Sequence, residues 1–146
     1  MAKFIYKMQN VLDIKYKMEE QIKVEFARAN EAYNLEVRKL QDFVSRKYGY
    51  EEKLRNLYKE SLKIAEIKST IDAIDKMKEI IKQQIEEVNK AAKVVEEVRK
   101  KLNEAMLERK TQETLREKAF EEFLLEIKAQ EDKETDELVS FKYGNH

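Results

Sequence analysis

The residues that could do chemistry are few in kind. The chain has one histidine, His146, and no cysteine. That leaves no thiolate nucleophile, no disulfide framework and no Cys/His zinc set. A histidine at the last position offers no embedded general base. Carboxylates are plentiful at 30, but they are interleaved with 30 Lys and Arg on faces that the periodicity assigns to water. The sequence contains no Glu-x-x-His, no Gly-rich phosphate loop and no Gly-x-Ser-x-Gly. No catalytic residue, metal or cofactor is expected, and the chain is not expected to be an enzyme.

Composition narrows the remaining classes. The zero formal charge removes the broad positive field that nucleic-acid binders use, so no nucleic acid is expected. The seven tyrosines have no basic stripe beside them to make a stacking platform. No apolar run approaches the roughly 18–20 residues of a membrane span, and no signal peptide is expected. With 41% charged residues, 42% apolar residues and no proline, the chain reads as long helices in one coiled-coil domain over 1–146.

The elements that must position any site follow from spacing. With Ile64 as heptad position a, the a column reads Ile64, Ile71, Lys78, Ile85, Ala92, Arg99, Met106. The d column reads Ile67, Ile74, Ile81, Val88, Val95, Leu102. A 3.5-residue repeat keeps one stripe facing a partner helix, so this is a coiled-coil seam. Lys78 and Arg99 are read as long basic chains that snorkel out of it. The first third steps through Ile22, Phe26, Ala29, Tyr33, Val37, Leu40, Val44 and Tyr48. That spacing is an 11-residue repeat with weak or right-handed twist.

The seam phase breaks between Tyr48 and Ile64. A turn there gives an antiparallel intramolecular hairpin, with helix one at about 3–58, a tip at about 58–66 and helix two at about 66–139. Ser61 is a possible helix cap, and Ser69-Thr70-Ile71-Asp72 resembles a capping box. Residues 140–146 are expected to fray. The amphipathic start Lys3–Lys15 suits a surface-seeking helix. The favoured reading instead packs Phe4, Met8, Val11 and Leu12 on the returning arm.

The start Lys3-Phe4-x-Tyr6-x-Met8-Gln9-x-Val11-Leu12-Asp13, followed by Glu19-Glu20, resembles the opening of the flagellar export protein FliJ family. The end is similar as well, in Leu115-x-Glu117-Lys118 and Glu131-x-Lys133-Glu134-x-Asp136-Glu137-Leu138. Ile64-Ala65-Glu66-Ile67 with Ile74 and Ile81 resembles the family's return helix, although Lys63 stands where the family often has a small capping residue. The resemblance implies an all-α coiled-coil hairpin similar in shape to a rotary ATPase central stalk. It also implies a soluble part of the bacterial flagellar type III export apparatus. The implied partners are the export ATPase, the cytoplasmic domain of the export gate protein, and export chaperones. The implied place is the cytoplasm, peripherally at the inner face of the cell membrane and touching the membrane only indirectly. The alternative is a stalk or tether subunit of another ATPase or secretion complex.

Two candidate surfaces complete the reading. Off the expected seams, Ala73, Met77, Ile80 and Gln84 on helix two and Lys39, Phe43, Arg46 and Tyr50 on helix one form stripes suited to docking. The competing reading makes them a broadened core. The resemblance assigns this region to the gate. At the other end, a hairpin closing near residue 62 sets Phe4 opposite residue 120, give or take a turn. Phe123, Leu124 and Ile127 then have no intramolecular partner. The resemblance assigns them to the export ATPase, with Arg116, Lys118 and Glu122 as rim contacts.

Overall fold

A computed structural model of the chain describes residues 2–60 and 63–144. Two helices make up nearly all of it: α1, Gln9–Glu60 (52 residues), and α2, Ile64–Gly144 (81 residues). Among the described residues there is no strand. The fold is all-α, with two long helices packed against each other as the sequence predicts. Continuous helices of this length need the absence of breakers. Gly49 sits inside α1 without a positive φ, at a cost of about 1 kcal/mol that tertiary packing absorbs.

The helix ends correct three expectations. α1 starts at Gln9 rather than near residue 3. The Gln9 N–H donates to the Tyr6 carbonyl (3.1 Å), the Leu12 N–H donates to the Met8 carbonyl (3.1 Å), and the Gln9 amide donates to the Asp13 carboxylate one turn on (3.0 Å). α2 starts at Ile64, and the Ile67 N–H donates to the Lys63 carbonyl (3.0 Å). Ser69-Thr70-Ile71-Asp72 is therefore not a capping box but part of the helix interior, and Thr70 is buried there. Its hydroxyl donates to the Glu66 carbonyl (2.8 Å), which lets a polar side chain be buried. The proposed cap Ser61 lies outside the described residues. At the far end α2 stays helical through Ser140–Gly144, where fraying was expected.

Contacts divide the chain into two compact units, Ile22–Leu102 and Met1–Gln21 with Asn103–His146. In the first, the hairpin unit, the buried stripe of α2 is Ile67, Thr70, Ile74, Met77, Ile81, Gln84, Val88, Ala91, Val95, Val98 and Leu102. The expected d column is in the seam. The expected a column is not: Ile64 is 75% exposed and Ile71 38%, and Lys78, Ile85, Ala92 and Arg99 are exposed as well. Two columns border Ile67-Ile74-Ile81, and the one facing α1 is Thr70-Met77-Gln84-Ala91-Val98. Its small or polar members suit the seam. Ala91 leaves room for close approach, while Thr70 and Gln84 each have a hydrogen-bond acceptor.

On α1 the hairpin unit covers Ile22, Phe26, Ala29, Tyr33, Glu36, Val37, Leu40, Phe43 and Lys47, and leaves Val44 and Tyr48 exposed. The spacing therefore remains seven, and the 11-residue reading fails after Leu40. Each fully covered apolar side chain, such as Ile74 or Val98, contributes about 1.5–3 kcal/mol.

The second, terminal unit packs Leu12, Lys15 and Glu19 of α1 against Ala105, Arg109 and Gln112 of α2. Leu12 is its best-buried apolar residue. Of the residues expected on the returning arm, Phe4 and Val11 are half-buried and Leu12 is buried, but Met8 is exposed.

Candidate interaction surfaces

Within the hairpin unit the first expected stripe splits in two. Met77 and Gln84 are buried, and Phe43 and Ala73 half-buried. Lys39, Arg46, Tyr50 and Ile80 are exposed. The placement of Met77 and Gln84 off the seam is therefore corrected: they belong to the core, which is the broadened-core alternative. The error came from the seam phase, because Met77 and Gln84 lie four residues before Ile81 and Val88 on the same face.

Gln84 is a buried polar residue with both contacts accounted for. Its Nε2 donates to the Glu36 carbonyl (2.8 Å) and to the Glu36 carboxylate (2.6 Å). The Gln84 hydrogen bond holds the Glu36 carboxyl below its ordinary value, and Lys39 at 3.4 Å adds to this. Arg46 lies over the Phe43 ring at 6.0 Å, so this flank presents a cation and an aromatic edge to solvent.

The terminal unit corrects the second surface. Phe4 meets Phe120 edge-on (5.1 Å between centroids, 70°) and Phe123 at 5.3 Å. Arg116 sits over the Phe4 ring at 5.6 Å, and its Nε donates to the Gln9 side-chain oxygen (3.0 Å). Phe4 thus falls opposite residue 120 as the register requires. Phe123, however, does have an intramolecular partner, because the non-helical segment before Gln9 lets Phe4 reach both rings. Ile127 is half-buried, while Leu124, Lys118 and Glu122 are exposed.

Further along, residues 128–144 of α2 are exposed throughout. They carry Leu138, Val139, Phe141 and Tyr143, with Phe141 72% exposed. Sequence reading placed Phe141 and Tyr143 in a fraying tail and gave Leu138 and Val139, at the end of helix two, no role in a site. Leu138 and Phe141, three apart in a helix-forming stretch, were the available signal.

A polar layer crosses the terminal unit between these regions. The Arg109 guanidinium donates to the Glu19 carboxylate (2.5 and 3.3 Å) and to Glu113 (3.2 and 3.3 Å). The Tyr16 hydroxyl donates to Glu113. The hydrogen bond to Glu113 raises the Tyr16 phenol above its ordinary value, and the same bond lowers Glu113. Arg109 is raised, first by its hydrogen bond to Glu19. Glu19 is buried, and the fork of Arg109 satisfies it in bidentate fashion.

Among the described residues no group of three or more His, Cys, Asp or Glu could hold a metal ion. Among the described residues no helix is long and apolar enough to cross a membrane. Both units present helical surface with exposed apolar and cationic side chains. No curated protein and no solved structure matches the chain. One protein family does match: the model of the flagellar FliJ protein covers residues 4–146, nearly the whole chain. The chain belongs to the FliJ family, and is a structural component of flagellar protein export and flagellum biogenesis.

Proposed function

We propose that the protein is an adaptor of the flagellar type III export apparatus. Its terminal unit engages the export ATPase. The exposed flank of the hairpin unit around Lys39, Arg46, Tyr50 and Ile80 engages the cytoplasmic domain of the export gate. It assists export chaperones as well, and works in the cytoplasm at the inner face of the cell membrane.

The observation that carries this reading is the end of α2. Residues 128–144 form a helix whose residues are all exposed, with Leu138 and Phe141 among its most exposed apolar ones. An isolated helix of that length is marginal in water, and its apolar groups would each contribute about 1.5–3 kcal/mol if a partner buried them. Leu124, Leu138 and Phe141 are the ATPase-facing anchors in this reading, and Arg116, Lys118 and Glu122 orient them. Phe123 and Ile127, half-buried, flank Leu124 on the same helix.

Pull-down of the full chain by the purified export ATPase tests it. Leu138→Ser with Phe141→Ser should abolish capture while leaving helix content and melting unchanged. The same variant should still bind the gate domain, whereas Lys39→Glu with Ile80→Ser should lose the gate alone. Undiminished ATPase capture by the α2-end variant would sink the assignment.

A further inference from the structure

The hairpin unit carries an apolar stripe that its own packing leaves in water. With Ile67, Ile74 and Ile81 at heptad a and Thr70, Met77 and Gln84 at d, the column Ile64-Ile71-Ile85 falls at e. On α1, with Phe26, Tyr33 and Leu40 at a and Ala29, Glu36 and Phe43 at d, the e column holds Val37, Val44 and Tyr58. Across an antiparallel seam, g faces g and e faces e. The Glu25–Lys101 ion pair (3.8 Å) marks the g flank, so the two e columns share the opposite one. The register fixed by Gln84 on Glu36 sets them in four levels: Tyr58 with Ile64, Glu51 with Ile71, Val44 with Lys78, and Val37 with Ile85.

Most of this flank is exposed, while Val37 and Glu51 are half-buried at its α1 edge. Tyr58 is 58% accessible, Val44 49% and Ile85 44%, beside the Ile64 and Ile71 already described. Together the stripe offers about 500 Å² of apolar surface, so two copies pairing through it would cover roughly the 1,000 Å² that a specific interface needs. Its two charges decide the occupant. Glu51 and Lys78 stand at the two middle levels, on opposite helices. A two-fold axis between those levels reverses their order. It sets Tyr58 and Ile64 of one copy on Val37 and Ile85 of the other, and each Glu51 at the level of the other copy's Lys78. Glu51 already has Lys47 at 3.3 Å within α1, so the second lysine completes a small ionic cluster. The stripe is thus complementary to itself in both apolar content and charge, as an isologous contact requires.

We propose that the chain self-associates through this flank into a two-fold dimer, in which two hairpin units pack antiparallel as a four-helix bundle. The partner is a second copy of this chain.

Sedimentation velocity of the full-length protein over a hundredfold concentration range tests this. The sedimentation coefficient should rise from the monomer value to the dimer value. Ile71→Glu with Ile85→Glu should remain monomeric throughout, with unchanged helix content. Glu51→Lys should weaken association by about tenfold or more, and adding Lys78→Glu should restore it. The chain has no cysteine, so Glu51→Cys and Lys78→Cys proteins, once mixed, should cross-link faster than either alone. A monomer at every concentration overturns the proposal. So does a dimer that survives Ile71→Glu with Ile85→Glu, since association would then run through another surface such as the end of α2. Failure of the second charge reversal to restore the first overturns the two-fold register.

Discussion

Truncating Met77 and Ile71 to alanine, one at a time, measures which α2 column the hairpin unit buries. Met77 is 7% exposed and Ile71 38%. Removing a buried methionine beyond Cβ costs about 2–5 kcal/mol. The seam is one layer thick with water on both sides, so partial collapse and water entry place Met77→Ala near the lower end, at about 2–3 kcal/mol. For a chain of this size each kcal/mol moves the melting temperature by about 2–4 °C. Met77→Ala should therefore lower it by roughly 4–12 °C. Ile71→Ala gives up a part-covered side chain but gains roughly 0.4 kcal/mol of helix propensity. Its net effect should stay within about 1 kcal/mol, or at most about 4 °C. Circular dichroism at 222 nm, in heat and in urea, reads both, in dilute solution so that self-association does not contribute. If Ile71→Ala costs as much as Met77→Ala, the seam phase described here is wrong.

Other outcomes follow from the polar contacts and the ring cluster. Phe4→Ala should cost about 1–3 kcal/mol by removing both ring pairs, with faster amide exchange around Phe120 and Phe123. Arg109→Leu should lower the melting temperature by removing the guanidinium that pairs with the buried Glu19, and adding Glu19→Leu should restore part of it; a double variant no more stable than the single would contradict the buried-pair reading. The Glu36 and Glu113 carboxyls are depressed in the folded state. Their contribution is complete above the ordinary carboxylate range and is lost as pH falls through their lowered values, so acid titration of Gln84→Leu should show a shallower loss of stability than wild type. Tyr16 is raised, so its contribution is complete below the ordinary tyrosine value and is lost as pH rises through the raised one. Tyr16→Phe should remove that alkaline component, and an unchanged alkaline profile would refute it.

Much of the architecture was legible because it depends on spacing alone. The absence of proline, the break between Tyr48 and Ile64 and the shared column Ile67-Ile74-Ile81 point to two helices and to the meeting of Phe4 with residue 120. The choice between the two columns beside Ile67-Ile74-Ile81 was not legible. Ile64, Ile71 and Ile85 are more apolar than Thr70, Gln84 and Ala91, and hydropathy favours the wrong side. The deciding facts are pairwise: Glu36 supplies the acceptor that Gln84 needs, and the Thr70 hydroxyl reaches back to Glu66. The same misphasing made Met77 and Gln84 look like surface. At the other end, Phe123 looked bare because a helical start was assumed, and an extended Ala2–Tyr6 segment carries Phe4 further along α2 than a helix would.

Two of the cross-helix polar contacts, Gln84 with Glu36 and Arg109 with Glu19, also govern sliding. Two heptad-repeating helices can shift past each other in steps of seven with their apolar stripes still matched. In the hairpin unit one such step would move the Glu36 carboxylate from Gln84 to Met77 or Ala91, neither of which can donate a hydrogen bond from its side chain. In the terminal unit a step toward the turn would move Glu19 from Arg109 to Leu102, leaving a carboxylate with a side-chain exposure of 5% without its cation. Each unit thus carries its own detent, and a load applied along the helices would meet resistance at both places before any apolar contact is lost.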